Sequence, residues 1–155
     1  MSIQVNTLAL ENLMVLRGKS LAELVQKMDL PLPDLFKYEM FDNQAFIANL
    51  GTSEILINHP AFKSQELGSQ QYAFQRGDAV LSLSGDWRLL MSEVCIYDFR
   101  QARHGDLLMV LVAGVSVWML IPEDNSPLIL GCDPTYGHYL LETLHNQINQ
   151  SPFLN

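Results

Sequence analysis

The sequence predicts an α+β fold built from two related halves, each with antiparallel strands covered by a helix. Three observations carry that prediction. After Gly18, residues Leu21, Leu24, Val25 and Met28 fall at i, i+3, i+4 and i+7, one face of a helix; after Gly85, Trp87, Leu90, Met91 and Val94 repeat the spacing. A short apolar strand precedes each helix, LMVLRG in the first case and AVLSLSG in the second. Later in each half, FIANLGTSEILI (46–57) and MVLVAGVSVWML (109–120) set a glycine between two β-prone runs. Each half therefore reads strand, helix, strand, strand, and the pair reads as two ferredoxin-like βαββ(α) halves related by an internal repeat.

Taken in order, the first repeat covers about residues 10–60 and the second about 78–149, in a single domain spanning 1–155. Ser20 and either Ser84 or Asp86 are placed to cap the two helices. Gly18 and Gly85 stand at the strand-to-helix corners. Gly51 and Gly114 stand at the hairpins, where a positive φ tightens the turn. Further strands are expected at 35–41 (LFKYEMF) and 127–131 (PLILG). A terminal helix is expected from near Asp133-Pro134, with Tyr136, Leu140, Leu141, Leu144 and Ile148 on one side. The polar, turn-rich stretch 59–77 reads as a linker, and the tail SPFLN as a frayed end.

Composition excludes several classes of function. Seventeen acidic against nine basic residues give a formal charge of −8, and the basic residues are scattered along the chain between Arg17 and Arg103. Nucleic acid and anionic membranes are therefore poor partners. The uncharged run LLMVLVAGVSVWMLI (107–121) is shorter than the roughly 20 residues of a membrane span, and its valines favour two buried strands joined at Ala113-Gly114. Two cysteines, Cys95 and Cys132, in no metal-ligand spacing, and a start without a basic region and apolar core, read as a cytoplasmic chain with reduced thiols. Only 17% of residues are charged, against an average near 25%, which points to surface covered by a partner.

Candidate chemistry is sparse. Ser84-Gly85-Asp86 before a helix offers backbone N–H groups to an anion, but phosphate loops use several glycines and a lysine, and Asp86 would repel the ligand. A tight corner is the better account. His138 and His145 are seven apart, not the i, i+4 of a chelating pair, and no metal is expected. Cys132 precedes a helix start, where a thiol pKa can fall, yet without a partnered His it reads as a small buried thiol. No catalytic residue emerges, and no residue is assigned to a cofactor. Trp118, Tyr136 and Tyr139 are the interface candidates, since aromatic side chains concentrate at interface centres and Trp118 lies in a strand apolar on both sides.

The order of these landmarks carries a family resemblance. LRGKSLAELVQKMDLPLP, then LGTSEILI, then AVLSLSGDWRLLMSEVCIYDF, then an apolar hairpin and a terminal helix resemble the gamma subunit of heterotetrameric sarcosine oxidase. More broadly they are similar to the folate-binding fold of the glycine-cleavage T-protein and YgfZ superfamily. Leu30-Pro31-Leu32-Pro33, Leu50-Gly51, Leu83-Ser84-Gly85 and Cys95 through Phe99 match the family's motifs. Thr52-Ser53, Ile55 and Ile96 depart from its Pro-Asp, Trp and Pro. The Cys-containing YgfZ signature is absent from the sequence.

What the resemblance implies is a non-catalytic accessory subunit that assembles with larger flavin- and folate-binding oxidase chains and binds no cofactor alone. The alternatives are a stand-alone folate-binding or aminomethyltransferase-like protein holding tetrahydrofolate, and a homo-oligomeric interaction module. A pteridine ring would need an acid at its amidine edge, for which Glu39, Asp42 and Glu54 are open candidates.

Overall fold

Residues 2–154 are described in the computed structural model. In chain order the elements are β1 (Gln4–Thr7), β2 (Met14–Gly18), α1 (Leu21–Lys27), β3 (Tyr38–Met40), β4 (Phe46–Gly51), β5 (Glu54–Ile57) and β6 (Gln71–Gln75), then β7 (Ala79–Ser84), α2 (Trp87–Val94), β8 (Leu107–Val112), β9 (Val115–Leu120), β10 (Leu128–Cys132) and α3 (Gly137–Gln150). They form two compact units. One is Leu10–Gly77; the other joins the segment through Ala9 to everything from Asp78 onward.

In the Leu10–Gly77 unit the sheet order is β3-β4-β5-β2-β6, antiparallel throughout. The i, i+3, i+4, i+7 face of α1 places Leu21, Leu24, Val25 and Met28 on Leu16, Ile47, Ile55 and Ile57 of the sheet. Full burial of each aliphatic side chain contributes about 1.5–3 kcal/mol, which holds a helix of only two turns that would not persist alone. In the other unit the order is β1-β7-β10-β9-β8, again antiparallel. Trp87, Leu90 and Met91 of α2 and Leu140 and Leu144 of α3 pack on Leu81, Leu83, Val117, Met119, Leu128 and Leu130. The predicted α+β class with helix-covered antiparallel sheets is the observed one.

The two sheets share a strand plan. The strand leading into the helix is second from an edge in each, flanked by the last strand of the following series and by one extra edge strand: β2 lies between β5 and β6, and β7 between β10 and β1. Neither edge strand was expected. The 59–77 stretch, predicted to be a linker, contains β6, whose Gln71–Gln75 pairs with Met14–Gly18. The N-terminal segment supplies β1, paired with Leu81–Ser84.

These edge strands explain the two corner glycines. Gly18 has φ +128, and a Cβ there would lie 2.1 Å from the Gln70 carbonyl oxygen, just ahead of β6. Gly85 has φ +78, and its Cβ would lie 2.2 Å from the Ser2 carbonyl oxygen, just ahead of β1. The neighbour in both cases is backbone. Only glycine combines the left-handed conformation with that approach.

Three local expectations change. Gly51 lies outside the left-handed region and ends β4, because a register shift between Asn49 and Gly51 moves the turn to Thr52-Ser53. The Gly114 turn is as expected, with Ala113 at φ 49 and Gly114 at φ 83. Neither Ser20 nor Asp86 caps its helix through the side chain; Ser20 is itself left-handed at φ 58, and Gln71 Nε2 donates to the carbonyls of Lys19 and Ser20 instead.

Gly18→Ala and Gly85→Ala are each expected to destabilise the fold by about 3 kcal/mol, from positive-φ strain plus a backbone clash. At this chain length that is a fall of about 10 °C in Tm by calorimetry. Gly114→Ala, with open space around its Cβ, should cost only about 1 kcal/mol.

Candidate functional site

The aromatic side chains singled out from the sequence separate into different environments. Trp118 on β9 is 4% exposed, and its indole N–H donates to Asp78 Oδ2 at 2.8 Å. Its ring lies over Gly131 of β10, where a Cβ would come within 2.2 Å of Cζ2. Trp118 is therefore a packed side chain and not an exposed anchor. Val80, Leu107, Leu120 and Ile129, outside the cluster under α2 and α3, are buried as well. The apolar side chains of β9 are already out of water and do not argue for a partner, whereas Met109 and Leu111 of β8 stay exposed. Tyr136 and Tyr139 are half exposed, and Tyr139 donates its hydroxyl to the Ala113 carbonyl at 3.2 Å across the β8–β9 turn.

The titratable candidates also disperse. His138 faces Glu142 at 3.1 Å, while His145 Nε2 lies 2.9 Å from the Val5 carbonyl, a contact that needs the proton on Nε2. Among the described residues no group of three or more His, Cys, Asp or Glu could hold a metal. Cys95 and Cys132 are both free and buried. Burial, then the charges of Asp78 and Asp133, push the Cys132 thiol up and not down. The helix start near it is a 3-10 turn, Pro134–Tyr136, whose first N–H groups are already engaged by Asp133 accepting from Thr135 N. Glu54 is paired with Arg17 at 3.0 Å, and Glu39 and Asp42 are exposed. They do not converge on a pteridine-sized enclosure.

What the fold does assemble is a groove that the linear sequence hides. A cavity of about 770 Å³ is lined by Arg88 and Ser92 of α2, by Phe99 through His104, Gln101 excepted, and by Pro122, Glu123 and Asp124. A second cavity of about 510 Å³ at the Gly85 corner shares Arg88 and the 122–124 loop. Arg88 Nη1 donates to the Phe99 carbonyl at 2.6 Å, with its guanidinium 4.6 Å from the Trp87 ring centroid. Arg103 Nη1 donates to the carbonyls of Arg100 and Ala102, and Arg100 holds Asp98 through Nε and Nη2 at 2.8 and 2.9 Å. Trp87, Phe99 and Tyr97 meet edge to face below. Three arginines thus line the same cavity as Glu123 and Asp124.

This arrangement can bind and orient, and within it His104 Nε2 lies 3.6 Å from Glu123 Oε1. Ser92 Oγ donates to its own helix at Leu89 O, 2.6 Å away, and no imidazole or carboxylate activates it. The Arg100 side-chain hydrogen bond, then the Arg100 backbone N–H, lower the Asp98 carboxyl to about 2. The clustering was missed because Arg88 and the Arg100/Arg103 pair belong to different elements. The available signal was the RQAR turn following Asp98.

Fold and site together define a small α+β chain with binding surfaces and no catalytic constellation among the described residues. No family model matches the sequence, and no curated protein matches it. A chain in the solved structure of heterotetrameric sarcosine oxidase from Corynebacterium sp. U-96, in complex with pyrrole 2-carboxylate, is similar to it in fold. The TM-score is 0.82 at 18% identity, covering 99% of this chain and 86% of that one. The fold expected from the family resemblance is the fold this comparison finds. No helix among the described residues is long and apolar enough to cross a membrane.

Two measurements follow from the site. Because the folded Asp98 value lies below the ordinary one of about 3.9, its stabilising pair should be fully present above pH about 4 and be lost as pH falls through about 2. Carboxyl-carbon NMR should show that midpoint, and Arg100→Ala should move it upward. At about pH 8, where an ordinary thiol is substantially ionised, a thiol reagent should label Cys132 only after denaturation.

Proposed function

We propose that this chain is a non-catalytic accessory subunit, resembling the gamma subunit of heterotetrameric sarcosine oxidase, that assembles in the cytoplasm with larger flavin- and folate-binding chains. The observation that carries this reading is the likeness in fold across 99% of the chain to a chain of a four-subunit oxidase. A dispersed set of His, Cys and acidic side chains, with a groove equipped for binding only, supports it. The common strand plan of the two units supports a further element of the proposal, that they are an internal repeat of a folate-binding-type fold, reused here within one-carbon metabolism. The chain is proposed to bind no cofactor alone.

Co-expression with the products of neighbouring genes tests the proposal. The expected result is a stable complex on size exclusion whose flavin absorbance and activity on N-methyl amino acids reside in the larger chains, the isolated chain being colourless and inactive. A monodisperse chain that ignores oxidase-like neighbours would contradict it. Calorimetry of the isolated chain with tetrahydrofolate is expected to show no heat, and a saturable isotherm would favour the stand-alone folate-binding alternative.

A further inference from the structure

Four exposed large apolar side chains, Leu32, Leu35, Phe36 and Met40, fall within nine residues of the Leu10–Gly77 unit. Leu35 and Phe36, 54% and 48% exposed, form the tip of a turn that the Lys37 N–H closes on the Asp34 carbonyl at 3.0 Å. Phe36 has φ 56, while Leu35 is not left-handed. That is the type II pattern, whose third position needs a positive φ and is normally glycine or asparagine. Here it is phenylalanine. A bulky residue at positive φ is strained, and such strain persists only where the surroundings over-determine it.

The surroundings do so. Asn49 of β4 accepts from the Phe36 N–H at 2.9 Å and donates its own N–H to the Lys37 carbonyl at 3.0 Å. Its side chain donates from Nδ2 to the Pro33 carbonyl at 2.9 Å and accepts from the Gly51 N–H at 3.0 Å. Pro31 and Pro33 fix φ on the way in, so the Leu30-Pro31-Leu32-Pro33 motif is a stiff approach to a clamped turn. A glycine at position 36 would make the same backbone bonds without strain. The phenyl ring contributes to none of them, and about half of it stays in water.

The chemistry of the tip narrows what it meets. Neither side chain carries a donor, an acceptor or a charge, so an anion, a metal ion or a nucleic acid finds nothing there to hold. Asp34 and Glu39 beside the turn oppose an anionic membrane, and a formal −8 on each chain opposes a second copy. An apolar centre flanked by Asp34, Lys37 and Glu39 has the composition of a protein–protein contact. A projecting aromatic and leucine fit a concave apolar surface, and a turn already fixed leaves little to order on binding.

We propose that Leu35 and Phe36 are the anchor by which this chain docks into an apolar hollow on a larger partner chain. The inference rests on the subunit proposal and gives it a contact surface. Titration of the purified full-length chain against the larger oxidase-like chains encoded beside it tests this. Phe36→Gly, which keeps the turn, and Leu35→Ser are each expected to raise the dissociation constant about tenfold or more. The Tm of Phe36→Gly is expected to stay within about 3 °C of wild type, because relief of strain offsets the lost packing. A fall well beyond that would assign the ring to the chain's own fold and overturn the inference. Unchanged dissociation constants in both folded variants would overturn it as well, while leaving the subunit proposal standing. A wild-type chain that joins no larger chain would remove the subunit proposal and this inference together.

Discussion

The closest constraint in this chain is the contact between a strand-to-helix corner and the carbonyl just ahead of an edge strand. Gly18 meets Gln70 and Gly85 meets Ser2 at distances that no Cβ can share. Because each neighbour is backbone, the clash cannot be relieved by a rotamer change. The edge strand, the strand beside it and the helix therefore meet at one point in each unit. Residues 4–7 then run antiparallel to 81–84, and 71–75 to 14–18. Val5 enters the core beneath α3, whose His145 reaches back to the Val5 carbonyl. Glu93 of α2, accepting from Ser151 Oγ at 2.7 Å and from Gln147, ties the two helices of that unit together at their ends.

The side chains with the most chemistry are spent on structure: Trp118 Nε1 on Asp78, Glu54 on Arg17, Asp98 on Arg100, and the Cys132 thiol in a site that disfavours its ionised form. The groove beside α2 is lined in part by charged side chains, with Arg88 and Arg103 held by backbone carbonyls and Arg100 by Asp98, unlike the enclosed, mostly apolar pocket usual for small-molecule sites.

Much of this was legible in the sequence because burial imposes periodicity. The helix faces beginning at Leu21 and Trp87, the apolar hairpin at Ala113-Gly114 and the terminal helix each carry a pattern that a packed core requires. The edge strands β1 and β6 escape that logic. β1 buries only Val5 and β6 buries no residue fully, so QVNT and QYAFQ show no alternation to detect. Gly51 misled for a related reason, since a bulge displaced the turn by backbone geometry that residue identity does not encode. Trp118 read as an interface anchor because a two-sided apolar strand is the same string whether or not it is already covered, and the arginine cluster exists only once α2 and the Phe99–Gln101 turn come together.

Whether the edge strands are integral decides between a preformed binding scaffold and a chain that would lend a loose strand to a partner. Residue-resolved native-state amide exchange on the isolated chain measures this most directly. The β7-facing amides of β1 and the β2-facing amides of β6 are predicted to exchange only through the same cooperative opening as the interior strands β7 and β2. Exchange of β1 and β6 at fraying rates, while β7, β10, β2 and β5 stay protected, would contradict the glycine-corner account of how both units are held.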